Sequence, residues 1–145
     1  MRRLFFFFGG LFGGLGVILG AFAAHSLKVR LTPDLLATFE TGVKYQMYHA
    51  LALLIVALVP ASRHASTLLT VSGWVFMVGT LLFSGSLYVL TVGGIRWFGA
   101  ITPVGGMALI IGWFCLVVAA FAGCEEGNVD LSSPQSTSNS ARIGV

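Results

Sequence analysis

FETGVKYQMYHALALL, residues 39–54, is the one stretch where a very apolar chain places charge, amide, phenol and imidazole at the start of what reads as a membrane helix. Set on a helix at about 100° per residue, Val43, Met47, Ala50, Leu51 and Leu54 fall on one arc. Lys44, Tyr45, Gln46, Tyr48 and His49 fill the opposite arc, with Glu40 beside Lys44 at its edge. A helix that enters lipid with such an arc must turn it toward protein or water, because hydrocarbon offers polar groups no partners.

The rest of the chain sets the solvent. Of 145 residues, 57 % are hydrophobic and 9 % charged, with a mean hydropathy of +0.94. A soluble domain carries about 25 % charged residues. The deficit excludes a globular aqueous surface and predicts an all-α integral membrane bundle whose first partner is the lipid bilayer. The net charge of +3 is scattered, which suits anchoring at helix ends and gives no patch for nucleic acid. Cys115 and Cys124 stand nine residues apart, about 13 Å along one helix, too far to bond to each other. No cysteine–histidine spacing matches a zinc or haem-attachment motif, so no metal and no cofactor is expected.

Four spans follow. Residues 4–24 form an uninterrupted apolar run after Arg2 and Arg3. Arg2-Arg3 and Ala21-Phe22-Ala23 resemble parts of a signal peptide, but the run exceeds the usual apolar core of about 7–15 residues, which predicts a retained helix. Gly9, Gly13, Gly16 and Gly20 recur at steps of four, three and four, one stripe suited to close helix contact. After a basic connection, residues 25–31, Thr32-Pro33-Asp34 reads as a helix start: Thr32 as N-cap, Pro33 where a missing N–H costs nothing, Asp34 complementing the dipole. The second transmembrane helix is therefore preceded by, or continuous with, an interfacial amphipathic segment, and residues 60–64 close it in a tight turn. The third span, residues 66–92, carries Ser84 and Ser86 around Gly85, then Tyr88. Thr102-Pro103 opens the fourth, which runs to about Gly123. Residues 1–124 make the membrane domain, and residues 125–145, rich in Ser, Asn and Gly, read as a disordered polar tail. Thr-Pro recurs at an offset of 70 residues, the mark of a weak two-helix parallel repeat.

Four spans put both termini on one side. Lys and Arg divide evenly between the sides, so orientation rests on Arg2-Arg3 flanking the first helix, which predicts cytoplasmic termini.

The blocks GAFAAHSL (20–27), FETGVKYQMYHAL (39–51), FSGSLY (83–88) and ITPVGG (101–106), with Gly112-Trp113, resemble the signature of the small membrane family of YgdD- and YwdK-type bacterial proteins, to which transmembrane protein 256 is related. The resemblance covers about residues 9–123. It implies a four-helix multipass protein of the bacterial inner (plasma) membrane. The family carries an unknown-function label and supplies no reaction, ligand or catalytic residue.

The residues that can carry chemistry are His25, Glu40, Lys44, Tyr45, Gln46, Tyr48, His49, Ser84, Ser86 and Thr102. Three readings compete. In the first, these groups pair with one another or with loop carbonyls and organise the bundle, and Lys44 pairs with Glu40 at i,i+4 or snorkels. In the second, a polar cavity around Tyr45, His49 and His25 binds a lipid or small molecule, or serves an oligomeric carrier or channel assembled through the glycine stripe. In the third, His25 and His49, brought together across a helical hairpin, ligate haem or a metal. No nucleophile elbow, phosphate loop or nucleotide fingerprint is present, so no enzymatic activity is expected. The first reading is preferred.

Overall fold

The computed structural model describes residues 1–60 and 63–129; for residues 63, 64 and 123–129 it describes the backbone only. Four helices account for nearly all of them, and no strand occurs among the described residues. Helix α1 runs Arg2–Phe22 and passes into a π-helical turn, Ala23–Leu27. Helix α2 is Pro33–Leu58, α3 is Arg63–Gly93, and α4 is Thr102–Val129, entered through a 3₁₀ turn at Arg96–Ala100. Gly94, at φ +68, makes the reversal out of α3, a left-handed conformation that glycine adopts without steric cost.

Three segments, Arg2–Leu27, Ala65–Gly93 and Arg96–Ala122, are long and apolar enough to cross a membrane. Helix α2 has 26 residues, about 39 Å of helix, so length does not limit it. Its polar residues dilute its hydropathy, as the opening stretch foretold. It is unbroken at Gly42, so the amphipathic segment and the membrane helix are one rod. Thr32 holds the N-cap position with extended backbone and accepts Leu36 N–H on its carbonyl, but its hydroxyl makes no capping bond.

Each helix packs mainly against its neighbours in sequence. Between α1 and α2 the glycine stripe does this work. A Cβ on Gly9 would lie 2.8 Å from Leu54 Cδ2 and 3.0 Å from the Ala50 carbonyl oxygen. Gly13 faces Ala50, Gly16 faces Met47 and Gly20 faces Val43, an antiparallel ladder down the whole hairpin. The stripe is therefore consumed within the chain, which corrects its assignment as the contact between copies. Helices α3 and α4 approach more closely still: a Cβ on Gly105 would lie 2.5 Å from the backbone nitrogen of Phe83. Lipid tails are as apolar as leucine, so such contacts gain from dispersion and close fit rather than from the hydrophobic effect. The core between the helices holds Phe5, Leu53, Val56 and Phe76, each at most 2 % exposed. A second cluster of Ala23, Leu27 and Phe39 lies at the end where α1 turns into α2.

Three sequence expectations need amendment. Arg63 and His64 belong to α3 rather than to a turn; residues 61–62 of that turn lie outside the described residues. Helix α4 continues to Val129, five residues into the stretch read as tail, and residues 130–145 lie outside the described residues. The repeat does not extend to packing. Gly9 meets Leu54, so a shift of 70 residues would bring Gly79 to Cys124, yet Gly79 meets Leu109.

Candidate functional site

The polar arc of α2 is split rather than turned one way. Gln46 and His49 point inward and are 6 % and 4 % exposed, while Tyr45 and Tyr48 are 41 % and 57 % exposed and Lys44 is exposed as well. The division follows from width. Helices α1 and α3 flank α2 and cover most of its circumference; Lys44 and Tyr48 lie on the strip left open, and Tyr45 lies at its edge with its ring 4.6 Å from Phe83 of α3.

Gln46 ties three helices together. Its Nε2 donates to the Phe12 carbonyl of α1 at 2.8 Å, and its Oε1 accepts from the Tyr88 hydroxyl of α3 at 2.9 Å. Tyr88 also lies against Gly42, where a Cβ would come 2.8 Å from its ring, and packs at a tilt on Phe39, ring centroids 4.8 Å apart. One turn of α3 earlier, Ser84 donates to the Gly42 carbonyl at 2.8 Å. Without glycine at position 42 the tyrosine ring could not sit so close to the α2 backbone.

His49 is held by two partners that fix its tautomer. The Tyr45 carbonyl lies 2.7 Å from Nδ1 and can only accept, so Nδ1 carries the proton. Trp113 Nε1 of α4 lies 3.2 Å from Nε2 and can only donate, so Nε2 offers its lone pair. The neutral ring is thereby saturated, with Phe76 and Trp113 packed around it at 5.3 and 6.1 Å. It has no lone pair to give a metal unless Trp113 lets go. Between α3 and α4, Ser72 donates to the Gly112 carbonyl at 2.9 Å, and Ser86 and Thr102 share a 2.8 Å hydrogen bond. Among the described residues, Thr80 Oγ1 is the single buried side-chain polar atom without a partner.

The remaining sequence candidates lie elsewhere. His25 is exposed in the π-helical turn. The α1/α2 ladder places it beside the first turns of α2, about 16 Å along the axis from His49. The approach of the two histidines across the hairpin is thus not found, and neither a shared haem pair nor a cavity lined by both can form. The hairpin is antiparallel, so residues close to the turn meet each other, and His49 lies too far up α2 to meet a residue at the turn. Among the described residues no group of three His, Cys, Asp or Glu side chains can hold a metal ion. Lys44 and Glu40 form no ion pair there, although their spacing allows one. Tyr45 and Tyr48 hydroxyls have no hydrogen-bond partner among the described residues; with His49, Leu51, Ala52, Ile55 and Trp113 they border a groove of about 440 Å³ between α2 and α4. Sequence reasoning missed Tyr88 and Trp113 as the partners of Gln46 and His49. The available signal was chemical: an indole N–H or phenol within a membrane span seeks an acceptor because hydrocarbon offers none, and α2 holds acceptors at that depth.

Residues 19–106, which include the α1/α2 turn, all of α2 and α3 and the start of α4, match the family described as protein of unknown function DUF423. The chain belongs to that family. It is 45 % identical over 118 residues to the UPF0382 membrane protein YwdK of Bacillus subtilis, covering 81 % of this chain and 96 % of that one. It is 41 % identical over 119 residues to the UPF0382 membrane protein SAB0533 of Staphylococcus aureus, covering 82 % and 96 % of the two chains. With the UPF0382 membrane protein SERP0230 of Staphylococcus epidermidis it shares 42 % identity over 123 residues, covering 83 % and 99 %. No solved structure matches the chain. The family is described as of unknown function and the relatives are named membrane proteins, which agrees with three segments long and apolar enough to cross a membrane. The match takes in Gln46, His49 and Tyr88, and leaves outside it Phe12 and Trp113, their partners on α1 and α4.

Proposed function

We propose that this chain is a non-enzymatic structural bundle of the plasma (inner) membrane, with both termini cytoplasmic, whose polar helix organises the fold. The observation that carries this reading is engagement with protein. Both polar ends of Gln46 and both ring nitrogens of His49, the inward polar groups of α2, bond within the chain, to Phe12, Tyr88, Tyr45 and Trp113. A conduit or reaction chamber needs polar groups held open to a solute, whereas these are closed onto protein. The test is His49→Ala on the full chain in detergent. A lowered thermal unfolding temperature, with no loss of any co-purifying small molecule, is the expected result. Unchanged stability with loss of a bound molecule overturns it. For orientation, a cytoplasm-dependent reporter fused after Val145 should be active and a periplasm-dependent one silent.

A second reading, a binder of a lipid or small amphiphile, is favoured by one feature. The groove at Tyr45, Tyr48 and Trp113 combines an apolar floor with two hydroxyls that have no partner among the described residues. It opens toward lipid, so a ligand there needs a further surface to enclose it.

A further inference from the structure

The outward face of α2 differs from every other outward face of the molecule. The exposed residues of α1 from Leu4 to Phe22, of α3 from Val71 to Gly93, and of α4 from Val104 to Phe121 are all apolar or aromatic hydrocarbon-compatible side chains. On α2 the exposed strip includes Lys44, Tyr45 and Tyr48. Depth makes this matter. Arg2 donates to the Val59 carbonyl at 2.6 Å and marks the membrane edge at that end of α2. Tyr48 lies ten residues deeper than Leu58, about 15 Å, which is the middle of a hydrocarbon layer roughly 30 Å thick. Lys44 is about 6 Å further on, still about 9 Å short of the opposite edge, and a lysine stem spans only part of that.

The strip has a period as well as a composition. Ala37, Thr41, Lys44, Tyr48, Leu51 and Ile55 recur at steps of four, three, four, three and four. Such a seven-residue repeat is the seam of a left-handed helix pair. Its internal counterpart on α2 is already occupied by α1 and α3.

We propose that this seam is the contact between two copies of the chain, α2 against α2. The inference does not depend on the functional reading above. Two copies inserted with the same orientation are related by a twofold axis along the membrane normal. Helix α2 then lies parallel to its twin, and each residue near the axis meets itself. Tyr48 is suited to that, since a phenol both donates and accepts, and two phenols can satisfy each other. Lys44 would also meet its twin, which is unfavourable alone. Glu40, one turn away and without an ion pair among the described residues, offers each lysine of the other copy a carboxylate. The face is thus complementary to itself in charge and in hydrogen bonding, which a lipid surface is not. Packing there also closes the open side of the groove beside Tyr45.

Cysteine cross-linking of the full chain in native membranes tests this, in a background with Cys115→Ser and Cys124→Ser. Lys44→Cys, Tyr48→Cys and Leu51→Cys, introduced singly and oxidised, should give covalent dimers. Leu15→Cys on α1 and Val78→Cys on α3, exposed but off the seam, should not. Dimers at 15 or 78 in equal yield, or none at 44, 48 and 51 while those cysteines react fully with a lipid-soluble maleimide, overturn the proposal. The latter outcome would leave the groove to lipid or an amphiphile. A charge exchange adds a second readout. Glu40→Lys and Lys44→Glu, each alone, should lower the Tyr48→Cys dimer yield several-fold, and the two together should restore it. Failure of the double exchange to restore the yield removes the cross-copy pairing on which the assignment rests.

Discussion

The hairpin of α1 and α2 and the hairpin of α3 and α4 solve one problem in two ways. Both must hold helices together in a solvent that gives no hydrophobic reward for burial. The second hairpin does it chiefly by proximity, with the Ser72–Gly112 and Ser86–Thr102 hydrogen bonds beside it: Gly105 leaves its partner's backbone room that no Cβ allows, and Gly112 does the same for the Phe76 ring, at 2.6 Å. The first hairpin does it with a polar tie, Gln46 to the Phe12 carbonyl, laid across a looser glycine ladder in which Gly13 has its nearest neighbour at 3.9 Å. Steric closeness tolerates no added atoms. A hydrogen bond tolerates atoms but not the loss of a partner. The two hairpins should therefore fail to different substitutions.

The comparison breaks most visibly at Gly105. Gly105→Leu forces α4 off the Phe83 backbone and should cost about 3 kcal/mol or more, as overpacking at its upper end does. Thermal unfolding in detergent should show either a large drop or no folded protein. Next comes Gln46→Leu, which leaves the Tyr88 hydroxyl buried without an acceptor. The expected cost is about 1–3 kcal/mol, and the pair Gln46→Leu with Tyr88→Phe should recover much of it. His49→Ala strands only the Trp113 N–H, at the surface end of the cluster, and should cost about 1 kcal/mol, in line with interhelical bonds in membranes. The smallest effect distinguishes neighbours on one helix. Gly9→Ala meets Leu54 and should lower the unfolding temperature. Gly10→Ala has nothing within 4 Å and should leave it unchanged or raise it slightly, since alanine favours helix by up to about 1 kcal/mol. Equal effects at 9 and 10 would mean that the ladder is not the α1/α2 contact.

Much of this was legible in the residues. The four spans follow from apolar run lengths, and the glycine steps of four, three and four gave the interhelical face of α1 because helical period and small size are both sequence properties. The N-cap position of Thr32 was also readable, though not that its hydroxyl would stay unused. What could not be read was partnership. The arc of α2 looked uniform on a wheel because a wheel has no neighbours. Only the placement of α1 and α3 separates Gln46 and His49 from Lys44 and Tyr48. Trp113 was hidden for a related reason. An indole in an apolar helix counts as hydrocarbon in composition, and its N–H acquires meaning only when an unprotonated imidazole nitrogen stands 3.2 Å away. His25 failed by register, which depends on where the α1/α2 turn begins and not on either histidine.

The Arg2–Val59 contact has a consequence for how the protein is made. The bond joins residues 57 positions apart, so the guanidinium at the head of the first helix has no carbonyl to bind until the second helix has been synthesised to its end. The smallest piece of nascent chain in which that bond can form is the finished α1/α2 hairpin. The guanidinium at the head of the first helix thus serves as a latch on the end of the second.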